Sequence, residues 1–424
     1  MKRFRFVHAA DLHLDSPFKG MASQVPDEIV STLRDATFDA YNRIVSLCIE
    51  EAVDALIIAG DVYDGADRSF KAQYRFIEGL RKLSEEAIAS YICHGNHDPL
   101  DGWQSSLDFP ERCYRFGKDA ESFPLWEDAP GEVLIHGISY PTRVVHENLI
   151  PRFKGLEKAE FNIGVVHANV DSDPNHDPYA PCTLDDLRST GYDYWALGHV
   201  HTRRIINETL PTVVYPGNPQ GRHSNERFAR GVYLVDVDST GNVTTEFRAV
   251  DRVRWDVSEI DGSNMETEQN LVDALRSAMD SSLGDSDGRS VVARAEIVGP
   301  SPIHNSLIRE GFVSQVCDQL NEEYRHREPF LWCERIIVST SPPTDRNELK
   351  KGNDFVADLL ELSDSIREDE DELASMLRSI EGIYTSGKVG KYTGQFTPDI
   401  EELRQLLVEA ENLFLPELIE ESNV

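Results

Sequence analysis

The feature that most restricts how this chain can fold is a series of short hydrophobic segments, each of which ends in Asp, Asn or His or has one of them within the next two positions. Their richness in Val, Ile, Leu, Tyr and Phe predicts buried β-strands. The segments are Phe4–Ala9, Ala55–Gly60, Ala89–His94, Asn162–His167 and Tyr194–Leu197. The polar residues at their ends are Asp11 and His13, Asp61, Asn96, His97 and Asp98, His167, and His199 and His201.

Amphipathic segments separate several of these strands. Pro26–Val53 and Ser69–Ala87 carry apolar residues at helical spacing, as helices packed on a sheet do. Alternating strands and helices predict the α/β class. Ligands of open α/β sheets bind outside the carboxyl ends of the strands, so we expect the polar residues to converge at one rim.

The pattern changes after Arg230. Segments 231–237 and 242–250 alternate around a turn and predict a hairpin that closes a first domain, residues 1–250. Residues 251–342 predict a smaller β-α-β-α-β domain, with strands at 253–260, 291–298 and 330–339. Residues 343–424 predict an acidic helical extension, which either binds a partner or packs on its own chain.

Composition excludes several classes of protein. No apolar stretch approaches the roughly 20 residues that cross a bilayer, so a membrane protein is excluded. The 6 cysteines form no Cys-x-x-Cys pair, and neither they nor the N-terminus suggests export, so we expect a cytoplasmic protein. The net charge of −33 argues against generic nucleic-acid binding, although a local basic groove is compatible with it.

The residue types at the predicted rim suit metal ions. Carboxylate, amide and imidazole donors together suit Mn²⁺, Fe or Zn²⁺ better than Ca²⁺, which prefers oxygen alone. The donors are more numerous than one four-coordinate ion needs, which predicts two divalent metals. A carboxylate such as Asp61 is then able to bridge them and support phosphoryl displacement.

These residues stand in five blocks: Asp-x-His, Gly-Asp-x-x-Asp, Gly-Asn-His-Asp, a single His and Gly-His-x-His. In this order they resemble the calcineurin-like metallophosphoesterases, whose fold is a four-layer α/β/β/α sandwich. The Gly-Asn-His-Asp block resembles the DNA-repair exonuclease branch that contains SbcD. Segments His8–Phe18 and Tyr215–His223 are similar to the bacterial YhaO-type members.

The resemblance implies a role for each matching residue. Asp11, His13, Asp61 and His201 would hold one metal, and Asp61, Asn96, His167 and His199 the other. His97 would be the catalytic histidine, which protonates the leaving 3′-oxygen as a general acid. Asp98 would orient its other ring nitrogen.

One feature of the family's DNA-positioning residues is missing here. Some members carry a second histidine just after the Gly-Asp block, where this chain has residues 63–68, and Arg68 is the candidate substitute. Arg222 and His223 are further candidates for binding substrate phosphate, with a plain solvated loop as the alternative.

The resemblance implies a Mn²⁺-dependent DNA phosphodiesterase, a 3′→5′ exonuclease with some single-strand endonuclease activity in DNA repair. It further implies a homodimer that works with an SMC-like ATPase of the SbcC or YhaN type, docked on residues 343–424. One alternative is a small-substrate phosphoesterase, such as a nucleotidase or cyclic-nucleotide phosphodiesterase; the domain after Arg252 argues against it. Another is a non-catalytic scaffold, against which the complete ligand set argues.

Overall fold

The computed structural model describes residues 1–18, 25–65, 69–102, 107–171, 178–343, 346–352, 354–385 and 398–422. They divide into two compact units. One contains Met1–Ser258, Ser277–Ala295 and Cys317–Arg335, and the other contains Glu259–Arg276, Glu296–Val316 and Ile336–Val424. The predicted three-domain division at residues 250 and 342 stays a prediction.

The predicted strands are confirmed, and short edge strands are added to them. In chain order the strands are β1 (Phe4–Ala9), β2 (Ala55–Ala59), β3 (Ala89–Cys93), β4 (Cys113–Arg115), β5 (Glu121–Pro124), β6 (Val133–Gly137), β7 (Phe161–His167), β8 (Tyr194–Gly198), β9 (Arg204–Asn207), β10 (Thr212–Tyr215), β11 (Gly231–Val237), β12 (Val243–Ala249), β13 (Val253–Asp261), β14 (Ser290–Pro300) and β15 (Leu331–Ser341).

The described helices also follow the predicted pattern. They are α1 (Asp27–Glu50), α2 (Phe70–Glu85), α3 (Leu184–Ser189), α4 (Glu268–Gly284), α5 (His304–Leu307), α6 (Phe312–Tyr324), α7 (Arg346–Leu349), α8 (Phe355–Glu368), α9 (Glu370–Thr385) and α10 (Ile400–Ser422), with a 3₁₀ turn at Ile150–Phe153. None of them is both long enough and apolar enough to cross a membrane.

Two six-stranded sheets form the framework of the first unit. Their strand orders are β12-β11-β1-β2-β3-β4 and β5-β6-β7-β8-β10-β9. In the first sheet β1 to β4 run parallel, and in the second β6, β7, β8 and β10 do. The carboxyl ends of these parallel strands therefore lie along one edge of each sheet.

Three apolar clusters make this unit a layered sandwich. Side chains of both sheets, among them Phe6 and Val165, form the cluster between the sheets. Helices α1 and α2 cover the other face of the first sheet, and α3 and the 3₁₀ turn cover that of the second. The predicted four-layer α/β/β/α fold is confirmed.

The second half of the chain has the predicted element order. Strands β13, β14 and β15 form a three-stranded sheet in that order, with α4 and the pair α5–α6 between them in the chain. In the C-terminal extension Val356, Leu360 and Leu415 pack together, and Arg346 bonds to Asp364 and Glu411. The extension thus packs partly on itself. Other apolar side chains remain exposed: Phe355, Leu362, Leu406 and Phe414.

Candidate metal centre

The ends of five parallel strands bring the predicted ligands together. Asp11 and His13 follow β1, and Asp61 follows β2. The main-chain N–H groups of Asp11 and His13 donate to the carbonyl oxygens of Gly60 and Asp61, both at 3.0 Å. Asn96 and His97 follow β3, His167 ends β7, and His199 and His201 follow β8.

Several of these residues adopt strained backbone conformations. The φ angles are +53° for Asp11, +42° for His13, +52° for Asp61 and +100° for His199. Left-handed conformations cost non-glycine residues of the order of 1–3 kcal/mol and cluster at functional sites. Here they turn side chains of consecutive loops toward one point instead of along the sheet.

Glycine is required where these loops approach one another. A Cβ atom on Gly95 would lie 2.3 Å from Oδ1 of Asp61, and one on Gly198 would lie 1.8 Å from the carbonyl oxygen of Ala59. The glycines of the Gly-Asn-His-Asp and Gly-His-x-His blocks thus permit close packing of strand ends.

The first group of donor atoms comes from Asp11, His13 and His201, whose ligand atoms lie within 4.8 Å of one another. Nε2 of His13 is 3.3 Å from Nε2 of His201 and 3.7 Å from Oδ2 of Asp61. Such separations fit ligands of one ion, since a metal–nitrogen bond is about 2.0–2.1 Å long.

The second group comes from Asp11, Asp61 and His167. Nε2 of His167 lies 3.3 Å from Oδ2 of Asp61 and 3.0 Å from Oδ1 of Asn96. The ring of His199 stands 5.2 Å from that of His167. All of the predicted ligands therefore line one cluster. Asp11 belongs to both groups, and Asp61, a member of the second, borders the first through His13 at 3.7 Å.

The ring nitrogens that face away from the cluster have fixed acceptors. Nδ1 of His167 donates to the carbonyl oxygen of Ala59 at 3.0 Å, and Nδ1 of His201 donates to Oε1 of Glu226 at 2.7 Å. Each bond leaves the Nε2 lone pair free to bind a metal, as partners of metal-ligating histidines usually do.

The electrostatics of the cluster favour a bound cation. Asp11 and Asp61 are each 1% exposed. Burial lowers the pKa of His167, but the charge of Asp61 and its hydrogen bond outweigh burial and raise that pKa to about 9. Positive charge is thus stabilised at Nε2 of His167, where a divalent ion would replace the proton. The buried His/Asp cluster fits two divalent metals.

His97 lies at the open side of this cluster, and its partner corrects one prediction. Nδ1 of His97 is 2.6 Å from Oδ1 of Asp64, and its side chain is 33% exposed. Asp98 does not contact that nitrogen. Its carboxylate accepts from the main-chain N–H groups of Gly95 and Val62 and lies 3.1 Å from Nδ1 of His94. The prediction that Asp98 orients His97 is therefore wrong, because Asp98 holds its own loop in place.

Arg222 and His223, the predicted phosphate-binding residues, both lie beside a buried carboxylate. The guanidinium of Arg222 is 3.4 Å from Glu226 and 3.8 Å from Asp64, and the residue is only 8% exposed. Nε2 of His223 is 3.4 Å from Glu226. Arg68, the third candidate, lies outside the described residues.

Sequence reasoning missed two carboxylates of this centre. Asp64, which holds His97, is the last residue of the Gly-Asp-x-x-Asp block, and that position was the signal available for it. Glu226, which holds His201 and is 3% exposed, follows no recognisable spacing. Only the folded chain brings it to His201.

Replacing Glu226 with Gln tests the orienting role of this carboxylate. We expect the affinity for metal, or the phosphoesterase activity, to fall about 10- to 100-fold, because the partner of Nδ1 of His201 loses its charge. Calorimetric titration of the protein with metal measures the affinity. Glu208→Gln, at an exposed position, is the control. Equal affinities of the Glu226→Gln and wild-type proteins would contradict the assignment.

Several known proteins are similar in sequence to this chain. Residues 4–203 match the calcineurin-like phosphoesterase family, and residues 255–341 match the middle domain of the metallophosphoesterase YhaO. The uncharacterized metallophosphoesterase YhaO of Bacillus subtilis is 34% identical over 338 residues, which are 79% of this chain and 81% of that protein.

More distant relatives are DNA-repair proteins. The DNA double-strand break repair protein Mre11 of Methanopyrus kandleri is 27% identical over 300 residues, 62% of this chain and 61% of Mre11, less than two thirds of the relative. Among solved structures, a dimetal phosphatase from Danio rerio matches with 13% identity and a TM-score of 0.33 over 57% of this chain and 98% of that one. On its motifs, its fold and its similarity to YhaO, the chain belongs to the calcineurin-like metallophosphoesterases.

Proposed function

We propose that this metallophosphoesterase is a Mn²⁺-dependent DNA phosphodiesterase that acts as a 3′→5′ exonuclease in DNA repair. The observation that carries the proposal is the His97–Asp64 pair at the open side of a buried two-metal ligand cluster. Similarity to Mre11 proteins supports DNA as the substrate. The mixed oxygen and nitrogen donors support Mn²⁺, with Fe and Zn²⁺ as other ions of suitable chemistry.

The chain's own residues divide the work of hydrolysis. When bound, two divalent ions activate water and neutralise charge on the phosphoryl group. Asp61 borders both donor groups and also accepts from the main-chain N–H of His97 at 2.9 Å, so it fixes His97 relative to the cluster. Asp64 holds Nδ1 of His97, which leaves Nε2 to protonate the leaving 3′-oxygen.

The pKa of His97 has the direction that this role needs. Burial lowers the pKa of the imidazole, but the hydrogen bond to Asp64 and the charges of Asp61 and Asp64 outweigh burial and raise it. A raised pKa keeps the ring protonated nearer to neutral pH, as a general acid requires.

Asp64→Asn is expected to lower turnover of DNA. The neutral amide forms a weaker hydrogen bond to His97 and raises the pKa of its imidazole less than the carboxylate does. For a positioning residue we expect a loss smaller than that caused by removing His97, about 10- to 100-fold. Single-turnover DNA cleavage measures it. Asp98→Asn is the comparison, since Asp98 bonds to the loop and not to His97. A larger effect on turnover from Asp98→Asn, in a protein of unchanged melting temperature, would contradict the assignment of Asp64.

The exposed apolar residues of the C-terminal extension suggest a place for a partner. We propose that an SMC-like ATPase docks there in the cytoplasm and that the nuclease works as a homodimer. Phe355, Leu362, Leu406 and Phe414 supply the exposed apolar area on α8 and α10.

The decisive experiment compares DNA with a small diester. Linear DNA labelled at the 5′ or the 3′ end is incubated with the protein and Mn²⁺, Mg²⁺ or Zn²⁺, in parallel with bis-p-nitrophenyl phosphate. A 3′→5′ exonuclease gives a ladder from 5′-labelled DNA and releases mononucleotides from 3′-labelled DNA, most rapidly with Mn²⁺. Cleavage of the small diester alone, at low salt, would favour a small-substrate phosphoesterase and contradict the proposal for the isolated chain.

A further inference from the structure

A second feature lies beside the metal centre. A pocket of about 310 Å³ is lined by Thr202, which directly follows His201, and by Arg203, Pro216, Arg227, Phe228 and Arg230. All of these residues belong to the first compact unit.

The wall of this pocket is fixed to the metal-ligand segment. The guanidinium of Arg230 donates to the carbonyl oxygen of His201 and, at 2.8 Å, to Oδ1 of Asn218. Gly217 packs so closely there that a Cβ atom would lie 2.5 Å from the carbonyl oxygen of His201. The pocket therefore keeps a set position relative to the predicted ligand His201.

Phe228 combines exposure with backbone strain. Its side chain is 70% exposed, and its φ angle is +68°. A bulky residue in the left-handed region is an outlier, and a glycine there would be free of this cost. An exposed ring brings no compensating burial. Backbone strain that no packing explains is typical of functional residues, so the Phe228 ring is a candidate for contact with a ligand.

Two arginines near Phe228 lack carboxylate partners. The guanidinium of Arg227 lies 5.8 Å from the centre of the Phe228 ring, and that of Arg203 lies 3.9 Å from the centre of the Phe247 ring. Both arginines are exposed, and among the described residues no Asp or Glu forms an ion pair with either of them. The guanidinium groups of Arg203 and Arg227 therefore form a locally positive surface, suited to an anion, in a chain whose net charge is −33.

We propose that this pocket binds single-stranded nucleic acid next to the scissile phosphate, with a base stacked on Phe228 and with Arg203 and Arg227 at the flanking phosphates. Aromatic rings beside cationic side chains are the elements with which proteins hold single strands without reading sequence. The inference rests on the proposed function. It adds that the end of the DNA strand is separated from its complementary strand where it enters the metal centre.

Phe228→Gly is the sharpest test, because it removes the ring and relieves the strain together. Binding of a fluorescein-labelled oligothymidylate is measured by anisotropy with Mn²⁺, in the His97→Ala background to prevent cleavage. We expect binding about 5- to 150-fold weaker, a melting temperature above that of the parent protein, and binding recovered in Phe228→Trp. Tyr74→Ala, which removes a ring that is 47% exposed on α2, is the matched control and should bind like the parent.

Substitution of the two arginines is expected to change the salt dependence of binding. Arg203→Gln and Arg227→Gln should each reduce the slope of log K against log salt by about 0.7, the value per phosphate contact on a single strand. Phe228→Gly should leave that slope unchanged, since stacking releases no counterions.

The outcomes separate this inference from the proposed function. A protein with His97 intact that hydrolyses bis-p-nitrophenyl phosphate but neither binds nor cleaves DNA contradicts the proposed function, and this inference falls with it. Cleavage of DNA together with unchanged oligothymidylate binding by Phe228→Gly overturns only this inference. A lower melting temperature of Phe228→Gly would show that the ring packs structurally and would also overturn it.

Discussion

Replacing His97 with Ala is expected to reduce cleavage of DNA by about 100- to 10,000-fold, the range that general acid catalysis usually contributes. The variant should keep its metals, because the groups Asp11–His13–His201 and Asp11–Asp61–His167 do not include His97. Nδ1 of His97 bonds to Asp64, so the substitution removes the Nε2–H donor without opening the buried cluster. Single-turnover kinetics and metal content by elemental analysis measure the two effects.

The choice of leaving group sharpens this test. A 3′-alkoxide needs a proton to leave, whereas p-nitrophenolate leaves without one. If His97 is a general acid, His97→Ala should impair DNA cleavage far more than hydrolysis of bis-p-nitrophenyl phosphate. His146→Ala, at an exposed histidine elsewhere, is the control. Equal losses on both substrates would instead assign His97 to binding or to phosphate activation.

The second large effect is expected from Asp61→Asn. The substitution keeps the size of the side chain and its ability to accept from His97 N–H. It removes a charge that lies in one donor group and 3.7 Å from His13 of the other. We expect metal affinity to fall at least about 100-fold, since loss of an outer partner alone costs 10- to 100-fold. DNA cleavage should fall to background.

Thermal melting provides an independent measurement of the same change. Metal at 100 times its dissociation constant stabilises a folded protein by about 2.7 kcal/mol. Mn²⁺ should therefore raise the melting temperature of the wild-type protein and have much less effect on Asp61→Asn. Asp185→Asn removes a charge from a side chain that is 89% exposed and is the control. Two ions bound by Asp61→Asn with wild-type affinity would show that Asp61 is not shared between them.

The local pattern of the sequence predicted the elements that carry the site. Buried strands such as Ala55–Ala59 and Tyr194–Gly198 end within one residue of the predicted bounds, because a continuous apolar run between polar residues has few other ways to be buried. The short strands β4, β5 and β9 were missed. They are half-buried edge strands of three or four residues, and pairing with a neighbour decides their conformation.

The residues of the site also separate into those that the sequence predicted and those that it did not. The ligands follow strands and carry motif spacing, so residue type and position along the chain were enough to name Asp11, His13 and Asp61. The partner of His97 was assigned to the adjacent Asp98, whereas Asp64, 33 positions away, makes the bond. Adjacent residues in a tight loop often point apart, which sequence separation does not reveal.

Hydrophobic pattern and residue type alone predict the α/β class, the strand ends that meet at one rim and the chemistry of the donors there. The folded chain is needed to show that Asp64 and Glu226 hold the histidines, and that Phe228 is strained and exposed near His201. Those relations join residues that are distant in the chain. Side-chain direction and backbone strain depend on how the loops of two sheets pack against each other, and no local pattern encodes that packing.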